Sequence, residues 1–315
     1  MTSLASKRRL WFTISLVVIV PGLISLLFSG LKLGIDFTGG TLWEMRFSQP
    51  ATTLEIETAL RSAGMDNVIV QQSGAGSDET FLVRMPEVRE GSPRKAELTE
   101  ALQAGVGPFT ELEYSTVGGA LSTEIRNRAI VAVAIASIGI LLYMAYAFRN
   151  TQNPLLYGSS ALVAMLHDVL VVLGVFSILG LLFNVQIDAL FITALLTVIG
   201  FSVHDTIVVF DRIRENLAKH SDNSFEAVVD YSLAQTIVRS LNTSLTVIFT
   251  LLALVLFGGG STRLFVLALL IGIVSGTYSS IFNASQLLVA WENGEIQRLF
   301  RRITHPRADP ALPAT

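Results

Sequence analysis

The chain has 315 residues, of which 51% are hydrophobic and 15% are charged. This balance is too apolar for an ordinary soluble domain and is typical of an integral membrane protein. The formal net charge of -3 is close to balance and gives no indication of nucleic-acid binding, which would need a basic surface. The absence of cysteine excludes disulfide bonds, thiolate catalysis and cysteine-ligated zinc.

Six segments are candidates for transmembrane helices, since a helix needs about 20 mostly apolar residues to cross a bilayer. They lie at Leu10–Phe28, Ala129–Phe148, Pro154–Leu182, Ile187–Phe210, Leu241–Phe257 and Leu264–Ala290. We therefore predict four regions, which are the N-terminus with the first span (1–33), an extramembrane domain (34–125), a bundle of five spans (126–290) and a tail (291–315). Residues 212–238 are predicted to connect the fourth and fifth spans, with a helix from Ser224 whose start signal is Asn223 with Glu226.

The distribution of basic residues predicts the orientation of the spans, because lysine and arginine in short loops favour the cytoplasmic side. A cytoplasmic N-terminus places on that side Lys7, Arg8, Arg9, Arg149, Arg212, Arg214, Lys219, Arg239, Arg298, Arg301, Arg302 and Arg307. The short loops on the other side then hold Arg263. We therefore expect both termini in the cytoplasm and the domain at 34–125 outside it.

The domain at 34–125 has the pattern of a small α+β fold. Strands are predicted at Thr41–Phe47, Asn67–Gln72, Thr80–Met85 and Glu111–Thr116, and helices at Thr53–Ala63 and Pro93–Ala104. Thr52 with Glu55 has capping-box spacing, and Ser92 before Pro93 is a second start signal. The order βαββαβ is that of the ferredoxin-like fold. Because unrelated functions share this fold, it does not indicate an activity.

A glycine-rich segment, Gly34-Ile-Asp-Phe-Thr-Gly-Gly40, precedes the first predicted strand. It lacks the lysine of a phosphate-binding loop and leads into a strand instead of a helix N-terminus. We therefore predict a structural turn built on Gly34, Asp36, Gly39 and Gly40. Asp36 and Thr38 are expected to hydrogen-bond the local backbone.

Asp205 is an ionisable carboxyl within the apolar run Leu196–Phe210. A charge inside the bilayer costs at least ~2.5 to 3.5 kcal/mol, so an acidic residue there indicates function by default. Arg239 starts the fifth span at a similar depth, and its long side chain can reach toward Asp205. Protonation of Asp205 would then release Arg239 and alter helix packing. The alternative is a static ion pair that fixes the register of two helices.

The dipeptide of His204 and Asp205 has a counterpart in the third span, His167-Asp168. Asp168 lies deeper than Asp205 when ~1.5 Å of rise is counted per residue. It either extends a proton path or bonds to a neighbouring helix. Because successive helical residues point ~100° apart, neither dipeptide can easily aim both side chains at one ion. We therefore predict no metal site.

Other small and polar residues in the spans accompany these groups. Ser202 shares the face of Asp205, and Asn242 shares the face of Arg239. Both either hold water for proton delivery or knit helices together, as small polar residues in membranes commonly do. A stripe at four-residue spacing in the sixth span predicts close helix packing and consists of Gly272, Gly276, Ser280 and Ala284.

These motifs together resemble the SecD/SecF family of protein-export membrane proteins in the RND superfamily. The likeness extends from about Arg9 to Trp291 and is carried by Gly34–Gly40 (GIDFTGG), His167-Asp168, Val198–Asp205 (VIGFSVHD), Val208–Asn216 (VVFDRIREN), Arg239–Thr246 (RSLNTSLT) and Gly276–Phe282 (GTYSSIF). It implies an α-helical integral protein of the bacterial cytoplasmic (inner) membrane that forms a six-helix half of an RND-type bundle. It also implies an obligate SecD partner, the SecYEG channel, unfolded preprotein as substrate, and YajC and YidC as further contacts.

In the family that this chain resembles, the residues matching Asp205 and Arg239 are associated with proton conduction. The resemblance therefore implies a translocation component, not an enzyme, that uses the proton motive force without ATP or a cofactor. His204 departs from the family pattern, which often has asparagine there, and a histidine could itself titrate. Two alternatives are an RND-type small-molecule efflux half-transporter and a non-conducting scaffold for SecD.

Overall fold

The computed structural model describes residues 4–73, 79–149, 151, 153–220 and 222–298. In chain order its elements are α1 (Arg8–Ser29), α2 (Ile35–Thr38), β1 (Gly40–Phe47), α3 (Thr53–Ser62), β2 (Ile69–Ser73), β3 (Thr80–Met85), α4 (Pro93–Gly105), β4 (Phe109–Val117), α5 (Gly119–Ala147), α6 (Pro154–Phe183), α7 (Ala189–Lys219), α8 (Phe225–Phe257), α9 (Gly260–Ser279) and α10 (Ser285–Glu292). A π-helical turn, Ser280–Ala284, joins α9 to α10.

Six helices in this part of the chain are long and apolar enough to cross a membrane. Five are α1, α5, α6, α7 and α8, and the sixth combines α9, the π-helical turn and α10. The third, fourth and sixth of these spans are the most buried and form the interior of the bundle, whereas α1, α5 and α8 are largely exposed. The predicted six-span helical fold is confirmed.

The α+β domain has the predicted order of elements. Thr52 Oγ1 accepts a hydrogen bond from Glu55 N at 3.3 Å while Glu55 Oε2 accepts from Thr52 N at 2.8 Å, which completes the capping box. The Ser92 hydroxyl accepts from Lys95 N at 3.3 Å and so caps α4, and Pro93 occupies the first turn of this helix. The strands form one antiparallel sheet in the order β2-β3-β1-β4, the ferredoxin-like arrangement. Trp43 of β1 is fully buried in the domain core.

The region 212–238 consists mainly of the ends of two long helices. α7 continues to Lys219 and α8 begins at Phe225, so the helix expected from Ser224 is the first part of the fifth span itself. The helix N-cap is Ser224, not Asn223, because the Ser224 hydroxyl accepts from Ala227 N at 3.4 Å. Ser224 has the extended backbone that an N-cap requires. Of the predicted tail, only the residues up to 298 are described.

Glycines bring two pairs of helices close together. A Cβ on Gly272 would lie 2.1 Å from Val198 Cγ2, and a Cβ on Gly276 would lie 3.3 Å from Ser202 Cβ, so this stripe of α9 faces α7. A second close contact, which the sequence analysis did not identify, joins Gly22 of α1 to Gly174 of α6. Small residues let helix backbones approach closely in membranes. The polar groups of α6, α7 and α9 can therefore meet in the interior.

Candidate functional site

Asp168 on α6 is fully buried and is surrounded by hydrogen-bond donors. Its Oδ2 accepts from the hydroxyls of Ser202 at 2.5 Å and Ser279 at 2.6 Å. Its Oδ1 accepts from the hydroxyl of Ser275 at 2.7 Å and lies 2.9 Å from His167 Nδ1. We call these five residues the Asp168 cluster. The cluster ties α6 to α7 and to α9.

Among the residues that the structure describes, the Asp168 cluster stabilises a carboxylate with hydrogen bonds and without an arginine or lysine. Within the described residues, the ion-pair contact of Asp168 is with His167. Hydrogen bonds to a charged acceptor are shorter and stronger than those between neutral groups. Serine hydroxyls can both donate and accept hydrogen bonds, so these contacts do not fix the direction of every bond in the cluster. In the described part of the chain, no group of three or more His, Asp or Glu is placed to hold a metal ion.

Ser275 and Ser279 were missed by the sequence analysis. They are four residues apart on α9 and lie directly beside the small-residue stripe that contains Gly272 and Gly276. A Cβ on Gly276 would lie 3.6 Å from Asp168 Oδ2, so the carboxylate is in van der Waals range of α9 at this glycine. The i,i+4 spacing of two serines next to a packing stripe was the available signal.

His167 has one ring nitrogen in the Asp168 cluster and one outside it. Since Nδ1 faces a carboxylate, it carries the proton when Asp168 is ionised. The other nitrogen, Nε2, is buried and has no hydrogen-bond partner among the described residues. The nearby hydroxyl of Tyr278 donates to Trp11 O at 2.8 Å. Nε2 is therefore the ring nitrogen of His167 that lies outside the hydrogen bonds of the cluster.

Asp205 lies on α7 and is only 3% exposed. Its Oδ2 accepts a hydrogen bond from Ser244 Oγ of α8 at 3.4 Å. The expected contact with Arg239 is absent among the described residues, and the side chain of Arg239 is exposed. Ser244 follows Arg239 by five residues, so at ~100° per residue the two side chains point ~140° apart. Depth alone suggested the pair, and the rotation of α8 prevents it.

Three candidate residues lie on the outer surface of α7 and α8. His204, Arg239 and Asn242 are exposed, and we call them the outer polar face. Asn242 shares the orientation of Arg239, as expected for i,i+3 spacing. A charged or polar side chain is costly where it faces lipid within the bilayer. This face is therefore suited to contact with another protein surface.

Ser202 connects the Asp168 cluster to the rest of α7 and to the π-helical turn. Its hydroxyl donates to Asp168 of α6, a contact between helices of the kind that was one of the two roles expected for it. Its carbonyl accepts from Thr206 Oγ1 at 3.0 Å and from Ser280 Oγ at 3.2 Å. Ser280 begins the π-helical turn, and such turns are frequent at functional sites.

The Gly34–Gly40 segment connects α1, the domain and α7. Gly34 N donates to Ile187 O at 2.8 Å, and Thr38 Oγ1 donates locally to Gly34 O at 2.9 Å. Among the described residues, Asp36 is not hydrogen-bonded to the local backbone as expected; its Oδ2 instead accepts from the N–H of Ala189, the first residue of α7, at 2.7 Å. The following residues Gly39 and Gly40 have φ of 76° and 127°, values that favour glycine, and lead into β1.

A second carboxylate, Asp188, lies beside Asp36 at the start of α7. Asp188 Oδ1 accepts from Phe191 N at 2.9 Å and so caps the helix. Burial and the neighbouring charge of Asp36 raise the pKa of the Asp188 carboxyl above its usual range. Burial lowers the pKa of the Arg84 guanidinium on β3 to about 10, although the charge of Asp188 acts in the opposite direction. A cation of the domain therefore lies within the field of this carboxylate.

Two models of known protein families match this chain. A family model described as protein export membrane protein SecD/SecF, C-terminal, matches residues 98–294, and a second, the SecD/SecF GG motif, matches residues 24–51. The protein translocase subunit SecF of Thermobaculum terrenum is 56% identical over 98% of this chain and 99% of its own length. The subunit of the same name from Anaerolinea thermophila is 43% identical over 97% of this chain and 99% of its own length.

In two longer relatives, this chain is similar to one part of the protein. The protein translocase subunit SecDF of Bacillus subtilis is 36% identical over 93% of this chain and 38% of its own length. The crystal structure of SecDF, a translocon-associated membrane protein from Thermus thermophilus, matches with a TM-score of 0.81 and 33% identity over 92% of this chain and 38% of that chain. The chain therefore belongs to the SecD/SecF family of protein-export membrane proteins, in which it corresponds to the SecF translocase subunits.

Proposed function

We propose that this translocase subunit uses the proton motive force to assist preprotein translocation through SecYEG, without ATP. The observation that carries the proposal is the position of Asp205, a carboxyl that is 3% exposed within a membrane-spanning helix. Ser244 is its described hydrogen-bond partner, and no described lysine or arginine neutralises it. Taking up a proton removes its charge, so the two protonation states differ in the packing of α7 against α8.

The proton motive force is large enough for this purpose. A proton that crosses the membrane gains ~2.3 kcal/mol per 100 mV. A bundle with two conformations a few kcal/mol apart can be biased by a free energy of this size. Alternate protonation and release at Asp205 would therefore drive the bundle between two packings, and the attached domain would move with them.

The Asp168 cluster is a second proton-binding group in this proposal. Ser202 joins it to α7, the helix that carries Asp205 and its partner contact with Ser244. His167 adds a ring nitrogen that is buried and unpartnered among the described residues. Because α6, α7 and α9 all contribute to the cluster, a change in its protonation alters three helices together.

The outer polar face is proposed to contact SecD. Fused relatives, of which this chain covers 38%, support a SecD partnership. SecD would cover His204, Arg239 and Asn242, and so remove a cation and two polar side chains from contact with lipid. In this arrangement Arg239 acts on the proton path from the subunit boundary and not through a contact with Asp205.

The distribution of basic residues supports a topology in which the α+β domain faces outward from the cytoplasmic membrane. The basic residues near α1, at the end of α7 and at the start of α8 favour the cytoplasmic side, which includes both termini. The α+β domain then faces outward, where it is placed to hold or pull an emerging preprotein. Proton binding in the bundle would thus be coupled to movement of a domain that contacts the preprotein.

The test is proton flux through the complex of this chain with SecD, reconstituted in vesicles. A pH-sensitive dye reports the flux after a gradient is imposed, and export of a preprotein is measured in parallel. Asp205→Asn is expected to assemble normally and to lose both proton flux and gradient-dependent export. Asp222→Asn is the matched control, because Asp222 is exposed in the turn between α7 and α8.

Each result has a defined meaning. Full flux and full export by Asp205→Asn would refute the proton-carrying role. Unchanged export by both Asp205→Asn and Arg239→Gln would instead support a non-conducting scaffold for SecD. Loss of resistance to small molecules on deletion, with export intact, would support an efflux half-transporter.

A further inference from the structure

The Gly34–Gly40 segment joins the first span to the start of α7 through paired backbone groups. Gly34 N donates to Ile187 O at 2.8 Å, and Ile187 N donates to Lys32 O at 2.9 Å, so Leu33 and Ile187 form a parallel bridge. A Cβ on Gly34 would lie 2.9 Å from Ile187 O, which is too close for any other residue. We call residues 32–36 and 184–189 the joint.

Asp36 supplies the side-chain contact of the joint. Its Oδ2 accepts from Ala189 N at 2.7 Å, although the two residues are 153 positions apart. A helix leaves its first N–H groups without intrahelical partners, and an anion there is favoured by the helix dipole. Asp188 accepts from one of these groups, Phe191 N–H, as the helix N-cap. Asp36 accepts from another, Ala189 N–H, although it lies in a distant part of the chain. The start of α7 is therefore fixed to a segment that belongs to the domain.

On the domain side, Asp36 is close to the centre of the sheet. α2 runs directly through Gly39 and Gly40 into β1, which pairs with both β3 and β4. A Cβ on Gly40 would lie 2.7 Å from Met85 O, so the chain is tightly held as it enters the sheet. A displacement of Asp36 would consequently move β1 and the strands paired with it.

On the membrane side, Asp36 is bonded to the helix that carries Asp205. α7 is a continuous helix from Ala189 to Lys219. Asp205 is 16 residues after Ala189, which corresponds to ~24 Å along the axis. A continuous helix of this length transmits a shift or tilt from one end to the other, so the joint reports movement at Asp205.

A second contact aligns the domain with the joint. Gln71 Nε2 of β2 donates to Asn184 O at 2.6 Å, and Arg84 Nη1 of β3 donates to Gln71 Oε1 at 2.8 Å. Arg84 also lies within the field of Asp188. The domain is thus attached to the α6–α7 connection at two places, with Asp36 as the contact that reaches α7 itself.

We propose that Asp36 is the positioning residue that transmits movement between α7 and the α+β domain, through its hydrogen bond to Ala189 N–H. The inference rests on the proposed function, because it assumes that proton binding at Asp205 displaces α7. It predicts a defect that differs from the loss of proton flux. A chain that lacks the Asp36 carboxylate should still conduct protons but should no longer move its domain in response.

The experiment uses the full complex with SecD in vesicles. Since the chain contains no cysteine, Leu54→Cys on α3 and Leu182→Cys on α6 provide sites for two spin labels on exposed positions. The distance between the labels is measured with and without a proton gradient, together with proton flux and export. Asp36→Ala is expected to keep proton flux, and to lose both the gradient-dependent change in distance and export.

Two further variants separate the contact from a general loss of folding. Asp36→Asn retains an oxygen that can accept from Ala189 N–H, so it should restore part of the distance change. Asp66→Ala removes an exposed aspartate of the same domain and should behave as the unmodified chain. Amide exchange at Ala189 should become about tenfold faster in Asp36→Ala, since a hydrogen bond to a charged group is removed.

The outcomes distinguish this inference from the proposed function. A normal gradient-dependent distance change in Asp36→Ala would overturn the coupling role, and so would loss of its proton flux, which would place Asp36 in the proton path. Unchanged amide exchange at Ala189 would also overturn it. By contrast, full proton flux and export in Asp205→Asn would refute the proposed function, whatever the behaviour of Asp36.

Discussion

The hydroxyl of Ser202 donates a 2.5 Å hydrogen bond to the carboxylate of Asp168, and so ties α7 to α6 three residues before Asp205. The carbonyl of the same residue accepts from Thr206 and from Ser280 at the start of the π-helical turn. Changes at Asp168 are therefore able to reach α7 and the π-helical turn through Ser202. Asp168 and Asp205, the buried carboxyls among the described residues of the bundle, lie on helices that are directly connected.

Replacement of Asp168 should destabilise the bundle. Asp168→Leu removes the acceptor of three serine hydroxyls and of His167 Nδ1, and an unsatisfied buried donor costs about 1–3 kcal/mol. We expect a melting temperature several degrees lower than that of the unmodified chain, measured on the purified complex in detergent.

The matched control for Asp168→Leu removes the donors as well as the acceptor. Replacing Ser202, Ser275 and Ser279 with alanine in the Asp168→Leu background leaves few unsatisfied groups, so part of the lost stability should return. Side chains in one hydrogen-bond network are not expected to have additive effects. If the four substitutions lowered the melting temperature additively, the cluster would not act as a unit.

The sequence predicted the fold more successfully than the contacts of the site. Hydropathy and capping signals suffice for the spans and for the βαββαβ order because both are local properties of the chain. The position of Asp205 within an apolar run likewise predicted its burial. The partner of Asp205 depends on how α8 is rotated, and depth along the helix does not determine this, so Arg239 was chosen in place of Ser244.

The contact of Asp36 was beyond sequence reasoning for a different reason. A carboxylate can accept a hydrogen bond from any helix N-terminus that the fold brings to it, and Ala189 lies 153 positions away. A local Asx-type turn was the expectation because only nearby backbone is visible from the sequence. The π-helical turn at Ser280 was also not predicted, since no residue in Ser280–Ala284 specifies the extra residue in that turn.

Arg239→Leu should have little effect on the isolated chain and a strong effect on the complex with SecD. Arg239 is exposed on α8 and forms no described ion pair, so its removal should change the stability of the isolated chain by less than about 0.5 kcal/mol. In the complex with SecD, the same variant should lose proton flux, because the outer polar face has lost its cation. The measurements are the melting temperatures of the isolated chain and of the complex, and the proton flux through the complex.

The control for Arg239→Leu is Arg128→Leu. Arg128 is an exposed arginine on α5, paired with Glu124 one turn away, and an exposed pair of this kind contributes little. It should leave flux and melting temperature nearly unchanged. Should Arg239→Leu destabilise the isolated chain markedly, the residue would have a structural contact within this chain, and its assignment to the subunit boundary would be wrong.

The pH dependence of stability should reveal the contact between Arg8 and Glu295. Arg8 Nε donates to Glu295 Oε2 at 3.1 Å, and this hydrogen bond holds the pKa of the Glu295 carboxyl below its usual range. A carboxyl with a lowered folded-state pKa stabilises the protein fully above its unfolded value of about 4.3 and loses that contribution as the pH falls through the folded value. The advantage of the unmodified chain over Glu295→Gln should therefore shrink below about pH 4.

The measurement for this contact is the melting temperature between neutral and acidic pH. Glu100→Gln is the control, because Glu100 is exposed on α4, and its difference from the unmodified chain should stay small throughout. Subtraction of the two variants removes the titration of the other carboxyls. A difference for Glu295→Gln that grew as the pH fell would contradict the lowered pKa.

Gly272→Ala should test the packing of α9 against α7. A Cβ at this position would lie 2.1 Å from Val198 Cγ2, so the methyl group must displace the valine or separate the helices. Such overpacking costs typically about 1–3 kcal/mol, and it should also weaken the Asp168 cluster, which requires α9 to stay close. Val198→Ala makes room for the methyl group, so the double variant should recover most of the melting temperature and the proton flux of the complex.

Gly139→Ala on α5 is the control, because a Cβ there has no other atom within 4 Å. If Val198→Ala failed to rescue Gly272→Ala, the close approach of α7 and α9 would not be what holds the serines of α9 against Asp168.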